Sequence, residues 1–94
     1  MNEVIELAIE LKDGVADCRI EPASDEEGDY FTVTILYPEL VNGYSRSEIF
    51  CHDLFYDPET NTWFLDNGET GIHPKIRQLE RQISDEINRN LEQG

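Results

Sequence analysis

The dipeptide Asn42-Gly43 constrains this chain more than any other pair of neighbours in it. A type I′ turn needs positive φ at both central positions, and asparagine followed by glycine meets that demand at little cost. A two-residue turn there sets a register, with Glu39 opposite Arg46, Ile35 opposite Phe50, Val33 opposite His52 and Phe31 opposite Leu54. A second reversal is written in Tyr56-Asp57-Pro58-Glu59-Thr60-Asn61-Thr62-Trp63. Asp57 can accept the amides that follow it, Pro58 presets φ for a type I turn, and Asn61 tolerates the left-handed conformation. Tyr56 then faces Trp63, Phe55 faces Phe64 and Leu54 faces Leu65.

This octet resembles the designed miniature hairpin chignolin, with Asn61 where that peptide has glycine; the resemblance implies a hairpin and no function. Combining the two registers sorts the side chains by face, because alternate residues of a strand point the same way. Phe31, Val33, Ile35, Phe50, Leu54, Trp63 and Leu65 share one face. Tyr30, Thr32, Thr34, Leu36, Ile49, Cys51, Asp53, Phe55 and Phe64 share the other. The first set is the more apolar and is expected to be the core side of a three-stranded meander over residues 29–66.

Upstream, Ala16-Asp17-Cys18-Arg19-Ile20-Glu21 alternates like a strand that Pro22 ends, and residues 22–29 read as an acidic loop. The opening segment supports two readings. As a strand, Ile5, Leu7, Ile9 and Leu11 point one way, and Asp13-Gly14 turns the chain into Val15. That turn puts Glu10 opposite Asp17 and Glu6 opposite Glu21, pairings that repel. As a helix, Glu3, Glu6, Glu10 and Asp13 fall on one arc, with Asn2 as cap and Gly14 as terminator.

Ile76, Leu79, Ile83, Ile87 and Leu91 recur at spacings of three and four, one apolar stripe of a helix over residues 73–92. Pro74 suits its first turn. Arg81 with Asp85 and Asp85 with Arg89 are spaced for i,i+4 ion pairs. Lys75 and Arg77 stand at the helix start, where the dipole disfavours cations, so the acidic body beside them is expected to offset them.

Charge divides the chain. Lys+Arg number 7 and Asp+Glu 21, a net charge of −14. Residues 73–94 are neutral, with Lys75, Arg77, Arg81 and Arg89 against Glu80, Asp85, Glu86 and Glu92. All of the excess therefore lies in the strand-rich body, residues 1–72, where Lys12, Arg19 and Arg46 are the only bases. Such a surface argues against direct nucleic-acid binding, which needs basic residues to displace counterions, and against anionic membranes. No run approaches the roughly 18 apolar residues of a membrane span, and the acidic start lacks the basic n-region of a secretory signal. With two cysteines, Cys18 and Cys51, the expected setting is cytoplasmic, with free thiols.

Motifs for catalysis and metals are weak. Cys51-His52-Asp53 contains nucleophile-like groups, but neighbours in a strand point to opposite faces; a buried thiol and a partly buried histidine are the simpler expectation. Cys51 with His73 would be the remaining dyad. Cys18, Cys51, His52 and His73 lack the short paired spacings of zinc sites. Neither Asp25-Glu26-Glu27-Gly28-Asp29 nor Asp57 to Glu69 fits a calcium loop. No cofactor and no enzymatic activity are expected.

The expected fold is a single α+β domain over residues 1–94: one antiparallel meander sheet of four to five strands, with a C-terminal amphipathic helix packed on one face. If the opening segment is helical, the order becomes helix, four strands, helix. The expected function is a non-enzymatic binding or regulatory protein, its acidic surface meeting a basic protein partner. Glu6, Glu10, Asp17, Glu21, Asp25, Glu26, Glu27 and Asp29 are the candidate contacts. Alternate strand positions recur about every 6.6 Å, which suits imitation of a nucleic-acid backbone by an inhibitor. The alternative is a homodimer or partner complex through the apolar outer face, Tyr30, Leu36, Ile49, Phe55 and Phe64.

Overall fold

A computed structural model describes residues 3–12, 14–66, 68 and 71–93. Its five strands are β1 (Ile5–Leu11), β2 (Gly14–Asp25), β3 (Gly28–Val41), β4 (Tyr44–Asp57) and β5 (Thr62–Leu65). They form one curled antiparallel sheet in the order β1-β2-β3-β4-β5, a meander. Two helical segments follow, α1 (Pro74–Arg77) and α2 (Glu80–Gln93). The fold is α+β, as expected, with the opening segment a strand.

Both turns behave as their residues dictate. Asn42 and Gly43 take φ of 52° and 81°, the values a type I′ turn needs. Asp57 accepts the Glu59 amide at 3.0 Å and the Thr60 hydroxyl at 3.1 Å, and Asn61 sits at φ 55°. The Tyr56 hydroxyl donates to Asn61 Oδ1 at 2.6 Å and ties the two ends of that turn together. The registers follow: Ile35 pairs with Phe50, Phe31 with Leu54, Leu54 with Leu65 and Tyr56 with Trp63.

The β1–β2 register differs from the expected one by two residues. Leu11 pairs with Gly14, which places Glu6 opposite Arg19 and Glu10 opposite Val15. The like-charge pairings that an Asp13-Gly14 turn would impose are thereby avoided. Asp13 and Asn2, named for that turn and for the helical cap, lie outside the described residues.

Pro22 does not end its strand either. β2 runs on to Asp25, with Pro22 opposite Phe31, and turns where Asp25 Oδ1 accepts the Glu27 and Gly28 amides. β1 begins its pairing at Ile5, opposite Ile20, so beyond Ile20 β2 is an edge on that side and can hold a residue without an N–H. Pro38 in β3 is placed alike, since the β2–β3 ladder stops at Asp17 and Leu36. From there β3 and β4 continue alone to Val41 and Tyr44, a two-stranded ribbon.

The helical segments cover one face. Ile5, Ile9, Ala16, Cys18, Ile20, Phe31, Val33, Ile35, Leu54, Trp63 and Leu65 of the sheet meet Ile76, Leu79, Ile83 and Ile87 in one core. Phe50 packs against this core but stays partly exposed, and Leu91 closes the stripe at 40% exposure. The single helix expected over residues 73–92 bends between Arg77 and Glu80. His73 caps α1 by accepting the Lys75 amide through Nδ1, and Leu79 donates to the Ile76 carbonyl in a tightened turn. Of the expected ion pairs, Arg89 meets Glu86 at 3.0 Å instead of Asp85.

Candidate functional site

On β1 and β2 the residues that do not face the helices are Glu6, Ala8 and Glu10, then Val15, Asp17, Arg19 and Glu21. Four of the eight expected contact residues, Glu6, Glu10, Asp17 and Glu21, thus lie on the outer face. Their alternation with buried Ile5, Ile9, Ala16, Cys18 and Ile20 is what puts them there. Asp25, Glu26 and Glu27 are exposed at the β2–β3 turn that continues this side. Asp29 departs from the expected group: in β3 it alternates with Phe31 and Val33, so it lies on the helix side.

Arg19 is the one base of the β1–β2 outer face, and it is held by acids. Its Nε donates to Glu21 Oε1 at 2.8 Å and its Nη1 lies 3.8 Å from Glu6. Four other bases serve the ribbon and the helices. Arg46 pairs with Glu39 across the ribbon, Arg77 with Glu80 and Arg89 with Glu86. Lys75 reaches Glu48 of β4 at 2.7 Å and also lies over the rings of Tyr37 and Phe50. Hydrogen bonding from Lys75 holds the Glu48 carboxyl below the usual glutamate range, with the nearby charges of Lys75, His73 and Arg46 acting in the same direction. The offset expected from the acidic body is supplied by Glu48 for Lys75, whereas Arg77 pairs with Glu80 of the C-terminal segment itself.

The same outer face carries the alternative apolar set. Tyr30 stacks on Phe55 at 5.6 Å and Phe55 meets Phe64 at 6.1 Å, a row of rings beside Ala23. Leu36 and Ile49 face each other nearer the ribbon, with Leu40 beyond them. Ile49 is 64% exposed and Leu40 58%, since no described element covers this side.

The edge strand β5 is treated differently. The Leu65 amide donates to Glu80 Oε2 at 2.8 Å and the Trp63 amide to Ser84 Oγ at 2.8 Å. Asn88 Nδ2 donates to the Asn61 carbonyl at 2.9 Å and its Oδ1 accepts from the Trp63 indole at 3.2 Å. Four helical residues rise about 6 Å and two strand residues about 6.8 Å, so Glu80, Ser84 and Asn88 keep step with Leu65, Trp63 and Asn61. Sequence reasoning missed this function. Its signal was a polar row one position beyond Leu79, Ile83 and Ile87, which reads equally well as a solvated helix flank. A groove of about 670 Å³ runs between α2 and β5, lined by residues of both signs including Arg81, Asp85, Arg89 and Glu92. It lies away from the acidic outer face.

The cysteines separate. Cys18 is buried in the core, where burial foremost, with the charge of Asp17, raises its thiol to about 11. Cys51, expected to be buried, is exposed on the outer face, its Sγ 3.9 Å from the Thr34 hydroxyl. Thr34 stands opposite it in β3, and both point away from the core. His73 lies against Phe50 on the helix side, so Cys51 and His73 are on opposite faces of the sheet. Among the described residues no group of three or more His, Cys, Asp or Glu side chains is gathered to hold a metal ion, and no helix is long and apolar enough to cross a membrane. Comparison of the chain with protein-family models, curated proteins and solved structures finds no match.

Proposed function

We propose that this protein is a small non-enzymatic binding module that docks on a basic protein surface through the outer face of its sheet. The carrying observation is the segregation of Glu6, Glu10, Asp17 and Glu21 on that face, with Arg19 already engaged by two of them. Complementary charge speeds encounter and selects against acidic partners. The reading places it in the cytoplasm, where two free thiols on opposite sides of a sheet persist. A basic protein groove fits better than close imitation of phosphates, because Ala8 and Arg19 interrupt the acidic rows.

The test is a titration against polylysine and against a basic nucleic-acid-binding protein, at low and high salt, with DNA as competitor. Binding is expected to weaken steeply with salt and to yield to DNA. Neutralising Glu10 and Asp17 together should weaken it far more than neutralising Asp85 and Glu92 on α2. Equal losses would mean that total charge, and not its placement, carries the attraction.

A second reading is a homodimer through Tyr30, Leu36, Ile49, Phe55 and Phe64, favoured by the uncovered row of rings on that face. Two copies meeting there also bring their outer-face glutamates together, which opposes it. Light scattering decides: a dimer that Phe55→Ser with Phe64→Ser dissolves would establish it, and a monomer would exclude it.

A further inference from the structure

The two edges of the sheet are finished in different ways. Glu80 and Ser84 take the Leu65 and Trp63 amides of β5, and Asn88 takes the Asn61 carbonyl just before it, which closes this edge to any other strand. Along β1 no described side chain or strand bonds the outward backbone edge, and the ladder to β2 covers its other side through all of Ile5–Leu11. An unpaired edge of seven residues is a template for another strand.

The side chains of β1 specify which strand. Glu6, Ala8 and Glu10 stand exposed on the outer face, two carboxylates flanking a methyl group. Leu7 and Leu11 are only partly buried on the helix side, packed against the core. A second copy of β1 is a poor occupant. Antiparallel self-pairing that keeps all seven residues matched is centred on Ala8, and it sets Glu6 against Glu10 twice. Like charges directly opposite destabilise a sheet. A strand with basic residues at alternate positions and apolar ones between them meets both faces instead.

We infer that β1 is a docking edge for an extended basic segment of the partner, which adds to the sheet as a sixth strand. Its basic side chains reach Glu6 and Glu10, and its apolar ones extend the core past Leu7 and Leu11. Main-chain hydrogen bonds supply affinity and the glutamates supply selectivity. This rests on the acidic-face reading and narrows it to one strand.

The test uses the full chain and a labelled short peptide of alternating lysine and valine, followed by fluorescence anisotropy and amide hydrogen exchange. Two further peptides carry backbone N-methyl groups along one hydrogen-bonding edge or the other, with charge unchanged. The parent peptide is expected to bind and to slow exchange in Ile5–Leu11. One methylated peptide should bind about tenfold or more weakly, while the other binds as the parent does. Glu6→Lys with Glu10→Lys should transfer preference to a glutamate–valine peptide. If both methylated peptides bind like the parent, or exchange along β1 is unchanged in the complex, strand addition is overturned while the acidic-face reading stands. If no basic probe binds at low salt, both fall. A free protein that is already dimeric, with its β1 amides protected, assigns the edge to a second copy and overturns the proposal.

Discussion

The hydroxyl of Ser84, buried in the middle of α2, accepts the backbone amide of Trp63 in the edge strand β5 at 2.8 Å. One side chain thereby answers two demands at once. The Trp63 amide points away from β4 and has no strand to receive it, and the Ser84 hydroxyl needs a partner to be buried without loss.

Removing that acceptor leaves a buried N–H unsatisfied. Ser84→Ala is expected to lower unfolding free energy by about 1–3 kcal/mol, read from urea denaturation. Hydrogen exchange at Trp63 should rise with it. A loss below about 0.5 kcal/mol, the scatter of ordinary surface changes, would show that water replaces the hydroxyl there.

Ile83 lies one residue before Ser84 and is fully buried between sheet and helix. Ile83→Ala is expected to cost about 2–5 kcal/mol, through lost transfer energy and the cavity left behind. Leu91, at 40% exposure, should cost much less on the same change. Comparable losses at the two positions would contradict the burial gradient along α2.

The two thiols should react on different timescales. Cys51 is exposed and is expected to react with a thiol reagent in the native protein, whereas Cys18 should wait for unfolding. The folded Cys18 keeps its proton to about pH 11, while an unfolded thiol releases it near 9. The unfolded state thus loses the proton first, and stability falls as pH rises from 9 towards 11. Comparing the alkaline stability of the native chain with that of Cys18→Ala isolates this part; equal slopes would remove it.

Glu48 contributes on the acid side. Its carboxyl is held below the usual glutamate value of 4.5 by the Lys75 ammonium, so the pair's contribution is present above that pH. It is lost as pH falls through the lowered value. Side-chain titration by NMR should show Glu48 ionising below the usual glutamate value. In the Lys75→Met variant it should rise towards the ordinary range; no change would break the link.

The elements legible from sequence were those whose cause is local. Asn42-Gly43 and the Asp57-to-Asn61 turn demand particular backbone angles from a few residues. Two ladders and the shared face of Phe31, Val33, Ile35 and Leu54 follow from them by alternation, and the stripe from Ile76 to Ile87 follows from its own spacing of three and four. The placement of Glu6, Glu10, Asp17 and Glu21 outside followed from the same alternation.

Tertiary structure decided the rest. Leu11 pairs with Gly14, which sets Glu6 beside Arg19 where an Asp13-Gly14 turn would have set it beside Glu21, and such cross-strand partners are not a property of either strand alone. Pro22 stayed within a strand because β1 starts no earlier than Ile5, a fact of the neighbour's length. The closure of β5 by Glu80, Ser84 and Asn88 depended on where α2 came to rest after the bend at Gln78 and Leu79. Turns and amphipathic periods are properties of consecutive residues and can be read from them. The pairing of an edge depends on what else in the chain comes to lie beside it, so the same polar row could have been a solvated flank.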